Sequence, residues 1–116
     1  MALPGAAPIR HRALSAAGAT VHAIRPADDG RLSLIEVQRT LWGLGVRRVL
    51  LEAGPELAEA YFAAELVDQI AVYTAAVNGG QGASLAARLD PAGLVDGAHG
   101  EVGSDERFEA FLRRRR

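Results

Sequence analysis

The 116-residue sequence contains no cysteine. Disulfide bonds, thiolate metal sites and cysteine nucleophiles are therefore excluded. The absence of cysteine is also typical of proteins that work in the reducing cytoplasm, so we expect a cytoplasmic protein.

The sequence also lacks an excess of charge of one sign. Its 13 basic and 14 acidic residues leave a formal net charge of −1. This balance gives no electrostatic reason to expect a nucleic acid or a membrane surface as partner. No apolar run reaches the roughly 18 residues of a transmembrane helix, so none is expected.

Aromatic residues are scarce, at 5% of the chain, whereas hydrophobic residues make up 49%. The abundance of Ala and Gly favours helices packed closely on a sheet over a large aromatic core. The length is that of one ordinary domain, and we expect a single domain over residues 1–116.

Helix signals occur at three places in the sequence. Residues 9–17 are followed by Gly18, a residue type that commonly ends helices. Ser33 precedes a helical repeat of apolar residues and has Glu36 three residues later, the spacing of a capping box. Pro55 suits the first position of a third helix.

Strand signals alternate with these helices. Residues 19–24 alternate between apolar and polar, and residues 46–52 form an apolar run typical of a strand buried on both faces. Residues 67–76 have strand-like composition. The βαβαβ order predicts an α/β fold with a mostly parallel sheet and helices on its faces.

The C-terminal part has weaker signals. Residues 78–100 are rich in Gly and Ala, which predicts a long mobile loop with one helical piece over residues 84–89. Residues 101–116 are compatible with an antiparallel hairpin or strand, and residues 106–113 also with a helix.

Two isolated features allow more than one interpretation. Asp28 and Asp29 could hold a cation, although a role in a turn is the simpler interpretation. Trp42, late in the second predicted helix, is expected in a core or at an interface.

The predicted strand over residues 46–52 ends in Glu52, and the turn at Gly54 and Pro55 follows at once. Ligands of open α/β sheets bind beyond the carboxyl ends of strands. Gly54 allows a ligand to approach the backbone, and the helix start offers unpaired N–H groups and a positive dipole end. These features favour an anionic group such as phosphate. On spacing alone, however, a solvated strand-end carboxylate and an ordinary helix start are the preferred interpretation.

The same region resembles a known family. The stretch VLLEAGPELAEAYFAAELVDQIAVYTAA, residues 49–76, resembles the C-terminal reductase domain of the bifunctional riboflavin-biosynthesis deaminase/reductase. The matching residues are Glu52-Ala53-Gly54, Leu57-Ala58 and Ala64-Glu65-Leu66-Val67-Asp68-Gln69, with Gly79, Gly80 and Gly82 at the position of the family's Gly-rich turn. The stretch GSDERF, residues 103–108, is similar to the family's last strand.

The resemblance implies a dihydrofolate-reductase-like fold, mostly parallel with a C-terminal antiparallel strand. It also implies an oxidoreductase that uses NADPH to reduce the ribosyl group of a phosphorylated ribosylaminopyrimidine. By position, Glu52 is implied to contact the sugar hydroxyls of this substrate. The residues implied to line NADPH are Gly54, Pro55, Glu56, Leu57, Ala58, Glu59 and Ala60. No catalytic side chain or metal is implied, because the cofactor carries the hydride and the protein orients it.

Part of the family's pattern has no counterpart in these 116 residues. The family has an earlier segment with an opening strand and with Arg and Asp residues that hold phosphate and cofactor, and the deaminase half needs a Cys/His zinc site. We therefore expect an N-terminally truncated reductase domain. An incomplete sheet would expose an edge, which favours a homodimer. The alternative function is a catalytically inactive module that only oligomerises or binds a partner.

Overall fold

The computed structural model describes residues 1–2, 4–5, 8–77, 79–80 and 91–113. The chain divides into two compact units, Met1–Leu50 and Leu51–Arg116. Three α-helices and one three-stranded sheet are present in the described residues. The predicted helical piece at 84–89 lies outside them, as do Gly82 and the last three arginines.

The first unit contains two helices, α1 (Pro8–Ala16) and α2 (Leu34–Gly43). Helix α2 begins where the capping signal predicts, because Ser33 Oγ accepts a hydrogen bond from the Glu36 N–H at 3.4 Å. The core of this unit is small. Ile24 is 1% exposed and Val37, on α2, is 9% exposed.

The prediction of a strand over residues 19–24 is wrong. Only Ala23 takes part in a bridge, an isolated parallel contact with Ala2. The Ala2 N–H donates to the His22 carbonyl at 2.9 Å, and the Ile24 N–H donates to the Ala2 carbonyl at 2.8 Å. A strand requires a partner along its whole length, and among the described residues Ala2 alone pairs with this segment.

The two aspartates between this segment and α2 lie in a turn, as the simpler interpretation predicts. Asp29 Oδ1 accepts a hydrogen bond from the Arg31 N–H at 2.9 Å. Gly30 occupies the left-handed region with a φ of 77°. Asp29 therefore has a local structural role.

The prediction of a strand over residues 46–52 is also wrong. None of these residues belongs to a strand, and Val49 and Leu50 are 47% and 83% exposed. A strand buried on both faces needs a neighbour on each side. The described residues supply none, so the apolar run is left in irregular structure.

The second unit begins with helix α3 (Pro55–Ala63), followed by the strands β1 (Gln69–Thr74), β2 (Leu94–Val102) and β3 (Asp105–Leu112). A short 3₁₀ turn, Pro91–Gly93, precedes β2. Pro55 occupies the first turn of α3, as predicted.

The predicted dihydrofolate-reductase-like, mostly parallel sheet is wrong. The strand order is β1-β3-β2, and β3 pairs antiparallel with both neighbours. The parallel arrangement required strands at 19–24 and 46–52, which do not form. Of the C-terminal alternatives, the antiparallel hairpin is confirmed and the helix over 106–113 is not. The loop prediction fails from Leu94 onward, where β2 starts.

The β2–β3 hairpin is defined by two local features. Its two-residue loop has Gly103 at a φ of 64°, as a type II′ turn requires at its first central position. In β2, Asp96 and Gly97 form a bulge, with Asp96 at a φ of 54°. A Cβ atom on Gly97 would lie 3.1 Å from the ring of Phe108, so the bulge brings backbone close to this ring.

The sheet has one apolar face and one mixed face. The register places Ile70, Val72, Phe108, Ala110 and Leu112 on the apolar face. Ile70 is 8% exposed and Ala110 is 1% exposed. On α3 of the same unit, Ala58 and Tyr61 are also buried.

All three helices end in a Schellman motif. In each, the residue after the C-cap is left-handed: Gly18 at 85°, Gly45 at 86° and Glu65 at 54°. After α3, the Leu66 N–H donates to the Tyr61 carbonyl and the Glu65 N–H donates to the Phe62 carbonyl, both at 3.0 Å. Only the third motif places a side chain where glycine is favoured.

We expect Glu65→Gly to stabilise the protein by about 1 kcal/mol, because glycine avoids the strain of the left-handed conformation. The change also removes a negative charge from the negative end of the α3 dipole. Chemical denaturation measures the gain. Glu65→Gln is the control, since it removes the charge but keeps the Cβ atom and should recover only a minor part of the effect. An unchanged midpoint for Glu65→Gly would contradict the expectation.

Candidate functional site at the start of α3

The predicted ligand-binding residues lie at the beginning of α3 in the second unit. Gly54 is the N-cap, with φ −63° and ψ 167°, and no side chain caps the helix. The first intrahelical bond runs from the Ala58 N–H to the Gly54 carbonyl at 3.2 Å. Nothing lies within 4 Å of a Cβ atom built on Gly54. In the described part of the chain, the backbone N–H groups of the first turn therefore lack a capping side chain.

The side chains around this helix start point in different directions. Glu52, Pro55 and Glu56 are exposed, and Leu57 is 46% exposed. Ala58, in contrast, is only 6% exposed and belongs to the core. A ligand above the first turn can meet the exposed residues directly, whereas the Ala58 side chain faces the interior.

The two remaining candidate residues lie one turn further along. Glu59 is exposed and Ala60 is half-buried. Glu59 and Glu56 both belong to the first half of a nine-residue helix. The helix start thus carries two glutamates in addition to Glu52.

The charge around this site is predominantly negative. The unit Leu51–Arg116 has six arginines against eleven acidic residues, a net charge of −5, and no Lys or Arg occurs between residues 51 and 87. Arg107, on β3, is already paired with Glu109. At this helix start, the backbone N–H groups of the first turn and the helix dipole contribute positive potential for a phosphate.

The unit Met1–Leu50 has the opposite charge, with seven arginines, three acidic residues and a net charge of +4. Counting charges in each half of the sequence would have revealed this asymmetry, which the net value of −1 conceals.

Trp42 is not a core residue, because it is 62% exposed. The Arg47 guanidinium lies 3.8 Å from the centre of its ring, and Arg47 Nη1 donates to the Trp42 carbonyl at 2.9 Å. Arg47 thus covers the indole and binds a carbonyl at the C-terminal end of α2, where a cation is favoured. The sequence signal that could have predicted this contact is a basic residue shortly after a predicted helix end.

Two kinds of feature are absent from the described residues. No group of three or more His, Asp or Glu side chains there is arranged to hold a metal ion. None of the helices in the described part of the chain is long and apolar enough to cross a membrane.

Comparisons with known proteins give no match. No family model, no curated protein and no solved structure is similar to this chain at a significant level.

Proposed function

We propose that the chain binds NADPH at the start of α3 and acts in the NADPH-dependent reduction of a phosphorylated ribosylaminopyrimidine, a step of riboflavin biosynthesis. The observation that carries this proposal is the uncapped first turn at Gly54, which directly follows the exposed Glu52. The resemblance over residues 49–76 supports the choice of cofactor and substrate.

The chemistry of the helix start agrees with a phosphate ligand. Free N–H groups of a first turn donate hydrogen bonds to phosphate oxygens, and the helix dipole favours a negative charge there. The absence of a side chain at Gly54 allows the phosphate to approach the backbone. The Glu52 carboxylate, two residues earlier, can accept hydrogen bonds from the hydroxyls of a sugar.

The nearby glutamates oppose the binding of an anion. Glu56 lies within the first turn of α3, and its negative charge repels a phosphate at the same helix end. We therefore place the dissociation constant for NADPH in the micromolar range. The cofactor supplies the hydride when bound, while the role of the chain is to orient cofactor and sugar.

The replacement Gly54→Ser tests the cofactor site. A serine N-cap hydroxyl accepts from the N–H groups that the phosphate would use, so we expect NADPH binding to weaken by about tenfold. The fold should gain a few tenths of a kcal/mol, because serine caps helices better than glycine. Isothermal titration calorimetry of the purified chain with NADPH measures the affinity.

Gly100→Ser is the matched control, because Gly100 is exposed and also has nothing within 4 Å of a Cβ atom. It should leave NADPH binding unchanged. Glu52→Gln should keep NADPH binding and reduce the rate of NADPH oxidation with the pyrimidine substrate. No saturable binding up to millimolar NADPH would overturn the proposal.

The exposed apolar segment at residues 46–52 favours a second candidate function, an interaction module without catalytic activity. Leu50 is 83% exposed, and the run has no strand partner among the described residues. Burying such side chains against another chain is favourable. Light scattering over a range of protein concentrations tests this candidate, and a monomer at every concentration would exclude self-association.

A further inference from the structure

In the described part of the chain, the backbone groups along the outer edge of β1 have no strand partner. Among the described residues, β1 pairs only with β3. The Leu112 N–H donates to the Asp68 carbonyl at 2.9 Å, which fixes the alternation of the antiparallel ladder. The N–H and C=O groups of Gln69, Ala71 and Tyr73 therefore point away from β3, toward the outer edge.

The two edges of this sheet differ in how they are protected. Strand β2, at the other edge, is interrupted by the bulge at Asp96 and Gly97 and carries a second acidic residue, Glu101. Bulges and charges are common devices against edge-to-edge pairing. Strand β1 has no charged residue, no proline and no bulge. As far as the described residues go, the β1 edge is therefore available for strand addition and the β2 edge is protected against it.

We propose that β1 pairs antiparallel with β1 of a second copy of this chain, with Ala71 opposite Ala71 of that copy. Gln69 then lies opposite Tyr73 of the second copy. The three outward residues of each strand supply three N–H and three C=O groups, and this register pairs all of them in six hydrogen bonds. The product is a continuous six-stranded sheet with a twofold axis at its centre.

The side chains of β1 fit this register. Ile70 lies opposite Val72 of the second copy, so the apolar faces of the two sheets join on the same side. A shift of one residue would place the apolar face of one copy beside the mixed face of the other. Because β1 carries no charge, the symmetric pairing brings no like charges together.

The interface is small. A pair of six-residue strands buries less than the roughly 1,200 Å² of a standard stable interface. The dimer should therefore be weak and depend on concentration. The surface proposed here is the edge of β1 and not the exposed segment at residues 46–52, and the pairing is independent of NADPH binding.

Single-cysteine cross-linking tests the pairing directly. Ala71 and Ala98 are both exposed alanines, and both lie opposite Glu109, one on each side of β3. Since the chain has no cysteine, Ala71→Cys and Ala98→Cys each introduce a unique thiol. In the proposed dimer the two Ala71 positions are adjacent, whereas the two Ala98 positions are five strand spacings apart, about 24 Å.

We expect a short bis-maleimide to convert Ala71→Cys into a covalent dimer and to leave Ala98→Cys monomeric. Equal cross-linking of the two variants would overturn the proposal. A dimer mass in light scattering without cross-linking at position 71 would also overturn the proposal. That result would mean that the chain dimerises through a different surface.

Charge introduced at the two edges gives an independent measurement. Ala71→Lys should weaken dimerisation at least tenfold, because a lysine on each strand places two like charges directly opposite each other. Ala98→Lys has the same neighbour, Glu109, and should dimerise like the parent chain. Equal effects of the two lysines would contradict the proposal. NADPH affinity should be unchanged in Ala71→Lys, which separates this test from that of the reductase function.

Discussion

Ile24→Ala is expected to abolish cooperative unfolding of the unit Met1–Leu50. Ile24 is 1% exposed, and removing a buried isoleucine side chain to Cβ typically costs about 2–5 kcal/mol. A unit of this size has a total stability of only about 2–8 kcal/mol, so the loss is comparable to the whole.

The fluorescence of Trp42 during urea denaturation measures this effect, because Trp42 is the single tryptophan and belongs to the same unit. Ile9→Ala is the matched control, since Ile9 is 75% exposed on α1 and the same truncation should cost little. A midpoint for Ile24→Ala equal to that of the control would show that Ile24 is not a core residue.

Tyr61→Ala is expected to destabilise the second unit by about 3 kcal/mol. Tyr61 is 7% exposed on α3, and its truncation removes the largest of the buried side chains described in this unit.

Thermal unfolding followed by far-ultraviolet circular dichroism measures the loss at a fixed protein concentration. Tyr73→Ala is the matched control, because Tyr73 is 57% exposed on β1. If the two tyrosine variants unfold at the same temperature, Tyr61 does not contribute to the core as the structure indicates.

The helices could be predicted from the sequence because their signals are local. Ser33 caps α2 from three residues away, Pro55 starts α3, and Gly18 follows the end of α1. Each signal acts within one turn of the residue that carries it. The first helix, predicted over residues 9–17, is therefore found at Pro8–Ala16, and α2 and α3 begin where their start signals predict.

The strands could not be predicted in the same way, because a strand depends on a partner distant in sequence. Residues 46–52 have a stronger apolar pattern than β2, yet β2 forms a strand and they do not. The local turn at Gly103 gives β2 a partner in β3. Composition alone cannot show which apolar segment obtains such a partner.

Part of the candidate site was also predictable. The turn at Gly54 and the helix start at Pro55 follow from residue type, and the excess of carboxylates could have been counted. The burial of Ala58 depends on how α3 packs, which residue type does not reveal. The NADPH and substrate assignments remain proposals that rest on the resemblance and on this helix start.

The bulge at Asp96 and Gly97 gives β2 an uneven tolerance to changes in length. These two residues together occupy the place opposite one residue of β3, so deleting Asp96 would produce a regular ladder in which every other side chain keeps its face. Deleting Gly100 instead would shift the residues between the bulge and the deletion, and Ala98 and His99 would exchange faces. The strand therefore contains one position at which evolution can remove a residue without reversing the pattern of its neighbours.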